Sequence, residues 1–303
     1  MKKYLKTVVL LTLVLALLAL SGCLGTTGQA DGPFIVDAEK AAEMINDGTV
    51  LVDAQMADAY DVAHIEGAVN ITRGDIVVSE PFPNMVGGKE QIEKILGDNG
   101  IGNGMDIIVY DDNNHMDAAR FWWTLKAYGN EDVKVVSGGL KALEEIGMAV
   151  TDEVPDVEKA SYEADELDES MVATIDTVID QLNYPDSDTF LIDTRTTEEF
   201  EEGTIPSSIH INYVENQYAD GSYKSAQDIS IMYMENGIEK DATVIMYCKS
   251  SIRGAQTYLA LANAGYENLK LYDGAWLEWS SDKALPIQTP SGEKVEFNEQ
   301  DAS

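Results

Sequence analysis

Residues 189–211 read TFLIDTRTTEEFEEGTIPSSIHI, and residues 49–71 read TVLVDAQMADAYDVAHIEGAVNI. Each stretch is an apolar, β-branched run that ends in Asp, followed by a polar helix-like turn and a second short apolar strand. The two copies begin 140 residues apart. An internal repeat with this spacing predicts two similar domains rather than one large domain.

A second pair of segments continues the repeat. Residues 106–129 (DIIVYDDNNHMDAARFWWTLKAYG) correspond to residues 242–265 (ATVIMYCKSSIRGAQTYLALANAG). In both copies short apolar strands alternate with helical patterns, which predicts βα units and a mostly parallel sheet in each domain. The predicted organisation is a first domain over 33–150, an acidic linker over 151–170, a second domain over 171–288 and a tail over 289–303.

The N-terminal segment has the pattern of an export signal. A basic start with three lysines precedes an apolar run from Val8 to Leu20, and the run ends in Leu-Ser-Gly-Cys. This ending resembles the lipobox of secreted lipoproteins, which implies that residues 1–22 are removed, that Cys23 carries a lipid and that residues 23–32 form a tether. The alternative is a short transmembrane anchor with an incidental cysteine, but the run is shorter than the ~20 residues a spanning helix usually needs. We therefore expect a lipid-anchored protein outside the cytoplasmic membrane, periplasmic or on the cell surface.

The charge of the chain excludes one class of partner. Its formal net charge is −34, and removal of the three leader lysines would make it −37. Binding to nucleic acid depends on Lys and Arg contacts to phosphate, so this composition argues against a nucleic-acid partner.

The second copy contains the thiol Cys248, in the stretch TVIMYCKSSIRGAQTYLALANAGY (243–266). Cys248 lies where a predicted strand ends and a loop leads into a predicted helix, which is where parallel α/β folds bind ligands. We expect amides of the loop and of the first helical turn to converge on the sulfur and favour the thiolate, helped by Lys249 and Arg253. The alternative is a structural cysteine buried as a small hydrophobe. With Cys23 lipidated, no second cysteine remains for an intrachain disulfide.

Taken together, these segments resemble a tandem-domain rhodanese of the thiosulfate sulfurtransferase type. The resemblance rests on Asp193-Thr194-Arg195, on the loop from Cys248 to Arg253 and on DGAWLEW (273–279), with LVDA, HIEGAVNI and ARFWW in the first copy. It implies an α/β fold with two rhodanese-like domains, each a mostly parallel sheet flanked by helices. It also implies an inactive first domain, a catalytic second domain and an active site near their interface. Asp111 fits this implication, because it stands where the second copy has Cys248 and cannot accept a sulfane sulfur.

The resemblance further implies the chemistry. Cys248 would take sulfur from thiosulfate or a related small anionic donor as a persulfide and pass it to cyanide or a thiol, without a metal or an organic cofactor. Asp193 and Arg195 would either reach the cleft or form a structural ion pair, and the serines of the loop would either donate to the sulfur or cap the helix. The implied substrate-binding residues are Lys249, Ser250, Ser251, Ile252, Arg253, Arg195 and Asp193.

Other functions stay open at this point. A non-catalytic persulfide carrier or sensor that serves a protein acceptor would also need a reactive thiol. A phosphatase or arsenate reductase of the Cys-x5-Arg type is disfavoured, because four residues separate Cys248 from Arg253 and Gly254 occupies the position that would hold the arginine. The histidines have no metal-ligand spacing, which argues against zinc. The sequence leaves thiosulfate, mercaptopyruvate, polysulfide and a protein persulfide open as donors.

Overall fold

The computed structural model describes residues 32 to 290. The predicted leader (1–22), Cys23, all but the last residue of the tether and the end of the tail lie outside the described residues. Within residues 32–290, none of the helices combines the length and the apolar character needed to cross a bilayer.

Both halves of the described chain alternate short strands with helices. The first half contains β1 (Ile35–Val36), α1 (Ala38–Asn46), β2 (Val50–Asp53), α2 (Ala57–Tyr60), β3 (His64–Ile65), β4 (Val69–Asn70), α3 (Arg73–Ile76), β5 (Val77–Val78), β6 (Met85–Val86), α4 (Lys89–Asp98), β7 (Ile107–Tyr110), α5 (Met116–Ala127), β8 (Val133–Val136), α6 (Gly139–Glu145) and β9 (Val150–Thr151). The second half contains β10 (Val172–Ala173), α7 (Ile175–Asn183), β11 (Thr189–Asp193), α8 (Thr197–Glu202), β12 (Ile209–His210), α9 (Ala226–Glu235), β13 (Thr243–Tyr247), α10 (Ile252–Asn263), β14 (Leu269–Tyr272) and α11 (Ala275–Ser281), with 3₁₀ turns at Glu169–Met171 and Tyr213–Asn216.

Each half forms a five-stranded parallel sheet with the same strand order. The order is β1-β8-β7-β2-β4 in the first domain and β10-β14-β13-β11-β12 in the second. Two short antiparallel pairs, β3 with β9 and β5 with β6, lie outside the main sheets. The prediction of two α/β domains with mostly parallel sheets is therefore confirmed.

The sheets are buried on both faces, which explains their almost continuous apolar strands. Side chains alternate between the two faces of a strand. In the first domain, Val52 and Val109 face the core that contains α4 and α5, whereas Leu51 and Ile108 face the core that contains α1 and α6. Because helices cover both faces, apolar side chains occupy consecutive positions along the centres of these strands.

The two domains share one hydrophobic core. The helix α5 packs against α10 between the two sheets. Trp122 and Trp123 of α5 lie against Tyr258 of α10, with ring centroids 6.2 and 6.5 Å apart. The buried cluster is continuous across the interface, and this fixes how the two domains face each other.

Each domain also sends a hairpin over the other. The β5–β6 hairpin of the first domain reaches the second domain, where the Val86 N–H donates to Asp273 Oδ2 at 2.7 Å. In the equivalent segment of the second domain, the Tyr223 N–H donates to Ser137 Oγ of the first domain at 2.9 Å. At the loops that follow the central strands, Asn84 Nδ2 donates to Ser250 Oγ at 2.8 Å and Gln217 Nε2 donates to Asn114 O at 3.2 Å, so each segment also covers the loop at the carboxyl end of the partner domain's central strand.

The predicted acidic linker runs back along the first domain. Ala160 N–H donates to Gly97 O at 2.9 Å, and Asp168 N–H donates to Ala127 O at 2.8 Å. Tyr162 of this segment is 7% exposed. The segment is thus held by backbone hydrogen bonds and by an aromatic anchor, and its predicted boundaries stay predictions.

Candidate active site

Two equivalent loops follow the central strands of the two sheets. The strand β7 ends at Tyr110 and β13 ends at Tyr247. Each tyrosine hydroxyl accepts a backbone N–H of its own domain, from Ile65 at 2.9 Å and from Ile205 at 3.1 Å. The two tyrosines are therefore structural equivalents, and the next residue is Asp111 in one domain and Cys248 in the other.

The two loops differ in length by one residue. Each loop ends at a residue with left-handed backbone geometry that begins the following helix: His115 with φ 60° before α5, and Ser251 with φ 67° before α10. Three residues separate Asp111 from His115, and two separate Cys248 from Ser251. The loop around the thiol is therefore the tighter of the two.

In the first domain, the Asp111 carboxylate fills the centre of its loop. Oδ1 accepts the N–H groups of Asn113 at 3.0 Å and His115 at 2.9 Å, and Oδ2 accepts those of Asp117 at 2.8 Å and Ala118 at 2.9 Å. Burial raises the pKa of the Asp111 carboxyl to about 6, although these N–H bonds favour its charged form. The N–H groups of this loop thus form an anion-binding site, and the carboxylate of Asp111 occupies it.

The Cys248 loop has the same shape but no such acceptor. Among residues 32–290, the N–H groups from Ser250 to Gly254 donate to neither a carbonyl nor a side chain. No backbone N–H in the described part donates to Sγ either, which differs from the expectation from sequence. The reason is reach: Asp places its acceptor atoms two bonds beyond Cβ, whereas Sγ is one bond beyond Cβ. Cys248 itself is 1% exposed.

Arg253 is the charged neighbour of the thiol. Its Nη2 donates to Glu199 Oε1 at 2.9 Å, and Nη1 donates to Oε2, so the pair is bidentate. Burial alone would lower the pKa of Arg253, but Glu199 and the nearby Cys248 raise it. Burial alone would raise the pKa of Glu199, but the Arg253 guanidinium lowers it to about 2. Lys249, by contrast, is exposed.

Asp193 and Arg195 form a buried ion pair. Arg195 Nη2 donates to Asp193 Oδ2 at 2.6 Å, and Nε donates to Oδ1 at 2.9 Å. The Asp193 carboxylate also accepts the Tyr247 hydroxyl at 3.0 Å, and the guanidinium lies over the Trp276 ring at 4.1 Å. Arg195 is 2% exposed, so its donors are used within the protein. This arrangement fits the structural alternative rather than contact with a donor.

The two loop serines have different surroundings. Ser251 Oγ lies 2.9 Å from Tyr272 O and also close to Asp273 O, so its proton is used within the second domain. Ser250 Oγ accepts a hydrogen bond from Asn84 Nδ2 at 2.8 Å, so this contact does not use the Ser250 hydroxyl proton. Ile252 begins α10 and is 4% exposed, so it contributes an apolar wall and one of the N–H groups without an acceptor.

No residue pattern indicated which side chains the first domain contributes to the site. Asn84 comes from the tip of the β5–β6 hairpin, and its own carbonyl accepts Arg120 Nη2 at 3.0 Å. The same nitrogen donates to Asp273 Oδ1 at 2.8 Å in a fully buried ion pair between the domains. Arg120 and Asp273 both lie in segments that the repeat had singled out, but nothing in their spacing showed that they pair.

The sequence profile described as "Rhodanese-like domain" matches residues 37–145 and again residues 174–282. The chain belongs to the rhodanese family. Both rhodanese domains carry the strand–loop–helix unit, and the thiol is present in the second.

Known rhodanese-family proteins are similar over most of this chain. A Saccharopolyspora erythraea protein named "Putative thiosulfate sulfurtransferase" is 32% identical over 275 residues, which cover 84% of this chain and 96% of that protein. The "Sulfur carrier protein TtuD" of Thermus thermophilus is 29% identical and covers 86% of this chain and 98% of its own length. The structure of SseA from Escherichia coli, described as a 3-mercaptopyruvate sulfotransferase, superposes with a TM-score of 0.71 at 27% identity over 80% of this chain and 98% of its own.

Proposed function

We propose that this rhodanese-family sulfurtransferase moves a sulfane sulfur from thiosulfate, or a related small anionic donor, to cyanide or a thiol through a persulfide on Cys248. The second domain would be catalytic. The first domain would serve as scaffold and as one wall of the cleft, because Asp111 replaces the nucleophile there and a carboxylate is not a sulfur acceptor.

The Asp111 loop is the observation that carries this proposal. Its carboxylate oxygens lie two bonds beyond Cβ and accept four backbone N–H groups. The outer sulfur of a cysteine persulfide also lies two bonds beyond Cβ. In the equivalent loop of the second domain, the N–H groups of Ser250 to Gly254 are without acceptors among the described residues. The second loop is therefore suited to hold the persulfide anion rather than the thiolate alone.

The proposed transfer has two steps, loading of Cys248 and release of the sulfur to an acceptor. The Cys248 thiolate attacks the outer sulfur of thiosulfate, a Cys248 S–S bond forms, the donor S–S bond breaks, and sulfite leaves with the electron pair of that bond. Cyanide then attacks the outer sulfur, thiocyanate leaves, and the Cys248 thiolate is restored. A thiol acceptor in its thiolate form would leave as a persulfide instead.

The site must open for the first step. Cys248 is 1% exposed, and Asn84 of the β5–β6 hairpin is bonded to Ser250 of the loop. Contact between two sulfur atoms requires the donor to reach Sγ, so we expect the hairpin tip or the Lys249–Ser250 turn to move aside. Lys249 follows Cys248 in the chain, is exposed and would attract an anionic donor.

A persulfide carrier is the second candidate, and the similarity to the Thermus sulfur carrier supports it. Turnover separates the two functions. With thiosulfate and excess cyanide, an enzyme releases many equivalents of sulfite, whereas a carrier that needs its own protein acceptor loads once and stops.

The decisive measurement is the intact mass of the protein after incubation with thiosulfate. We expect the mass of one sulfur atom to be added on the peptide that contains Cys248, and removed again by cyanide. Cys248→Ser should abolish both the added mass and thiocyanate formation. Sulfur transfer that persists in Cys248→Ser would refute the assignment of the site.

We also propose, from the sequence alone, that Cys23 is lipidated and holds the mature protein outside the cytoplasmic membrane. Mass spectrometry of the N-terminal peptide from the membrane fraction tests this. An unprocessed N-terminus beginning at Met1, without lipid on Cys23, would refute it.

A further inference from the structure

The ion pair between Arg253 and Glu199 decides how much positive charge the thiol experiences. Both side chains are largely shielded from water, with 16% of the Arg253 side chain and 29% of the Glu199 side chain exposed. The contact is bidentate, with Nη2 to Oε1 at 2.9 Å. A carboxylate held in this way cancels most of the field of the guanidinium at distances beyond the pair.

The other buried cations near the loop are also neutralised. Arg195 is paired with Asp193, and Arg120 is paired with Asp273. Lys249 makes no ion pair with the residues that the structure describes, but it is exposed and therefore screened by solvent and salt. The buried wall around Cys248 is thus close to neutral before the thiol ionises, within a chain whose net charge is −34.

We propose that Glu199 is a specificity-determining residue, which makes this site favour sulfane donors with a single negative charge, such as persulfides and thiosulfonates, over the dianion thiosulfate. This inference rests on the proposed sulfur-transfer function. Its physical basis is that the interaction of a donor with a fixed charge scales with the charge of the donor. The Glu199 carboxylate therefore costs a dianion about twice as much as a monoanion at the same position.

The local structure allows a test that keeps the fold. Glu199 lies in the first turn of α8, where Oε2 accepts the Thr196 N–H at 3.1 Å and Thr196 Oγ1 accepts the Glu199 N–H at 3.3 Å. Glu199→Gln keeps the shape of the side chain and one oxygen that can accept from Arg253. It removes the charge and exchanges the second acceptor oxygen for an NH2 group, a change in hydrogen bonding that is the same for both donors. Glu198→Gln is the matched control, because Glu198 is its exposed neighbour in the same turn and has no contact with Arg253 within the described residues.

Thiosulfate and methanethiosulfonate are the donors to compare, because both offer a sulfane sulfur on a sulfonyl group and they differ by one unit of charge. Thiocyanate formation gives kcat/KM for each donor with cyanide as the common acceptor. For Glu199→Gln we expect kcat/KM to rise about ten-fold with thiosulfate and about three-fold with methanethiosulfonate. For Glu198→Gln we expect the ratio between the two donors to stay as in the wild type.

An unchanged donor ratio in Glu199→Gln, or an equal loss with both donors, would show a purely structural role and overturn the inference. The wild-type protein supplies a second measurement: added salt should raise kcat/KM for thiosulfate relative to methanethiosulfonate, because it screens the net repulsion. A fall in kcat/KM for thiosulfate relative to methanethiosulfonate with added salt would show that the surroundings of Cys248 are positively charged. That result would also overturn the inference. Intact mass distinguishes failure of this inference from failure of the proposed function. If Cys248 forms a persulfide but Glu199→Gln leaves the donor ratio unchanged, only the inference about Glu199 is wrong. If no donor forms a persulfide on Cys248, the proposed function is wrong as well.

Discussion

Replacement of Asp111 by alanine tests whether the first domain is held together by the anion in its loop. The carboxylate is 1% exposed and accepts four backbone N–H groups. A buried donor that loses its acceptor costs about 1–3 kcal/mol. Water can enter the space that the carboxylate leaves, so we take the lower value for each donor and expect Asp111→Ala to lower the free energy of unfolding by about 4 kcal/mol.

Asp112→Ala is the matched control for this variant. Asp112 is the next residue and is exposed, so its replacement should change the free energy of unfolding by less than about 0.5 kcal/mol. The assay is urea unfolding followed by tryptophan fluorescence, because Trp122 and Trp123 are buried in the helix that follows the loop.

The Asp111→Ala variant also tests whether the sulfur chemistry depends on the second domain alone. At temperatures where Asp111→Ala is folded, sulfur loading on Cys248 should persist, because the thiol has its own loop in the second domain. Equal urea midpoints for Asp111→Ala and Asp112→Ala would refute the claim that the carboxylate holds the loop. Loss of sulfur loading in the folded variant would refute the assignment of the first domain as scaffold.

Two further predictions concern ionisable groups, first in the loop of the first domain and then in the Arg120–Asp273 pair between the domains. Burial lowers the pKa of His115 to about 4, so the stability that this residue contributes is lost as pH falls from 6.5 to 4. Burial raises the pKa of Asp111 to about 6, so the stability that this residue contributes is lost as pH rises from 4 to 6. Each contribution to the free energy of unfolding amounts to about 3 kcal/mol. Relative to wild type, we expect His115→Gln to lose stability with rising pH and Asp111→Asn to lose it with falling pH. Parallel profiles of the free energy of unfolding against pH for all three proteins would contradict this. Arg120→Met leaves the buried Asp273 carboxylate without its cation and should cost about 3–5 kcal/mol in urea unfolding, and the double variant with Asp273→Asn should recover part of that loss, whereas additive losses would contradict the pairing.

The location of the thiol could be predicted from the sequence. A strand pattern that ends at Tyr247 and a helical pattern that begins at Ile252 place Cys248 at the carboxyl end of a parallel sheet, and the structure has both elements at these positions. Such patterns are local, because they depend on the alternation of side chains along a strand and on the spacing along a helix.

The partners of the charged residues could not be predicted in this way. From the sequence, Arg253 and Arg195 were both candidates for contact with a donor. In the structure Arg253 meets Glu199, 54 residues earlier in the chain, and Arg195 is used by Asp193 and Trp276. The competition between a donor and an internal carboxylate for one guanidinium is decided by distances that no residue spacing records.

The sequence by itself determined that this protein has two α/β domains of one family and that its single candidate nucleophile follows the central strand of the second. Tertiary structure alone decided what surrounds that nucleophile: an asparagine from the other domain, a half-buried arginine paired with a glutamate, and backbone N–H groups without acceptors among the described residues. The physical reason is that secondary structure follows from neighbours along the chain, whereas the charge and accessibility of a site follow from segments such as Asn84 and Ser250, which are 166 residues apart and meet only when both domains have folded and packed.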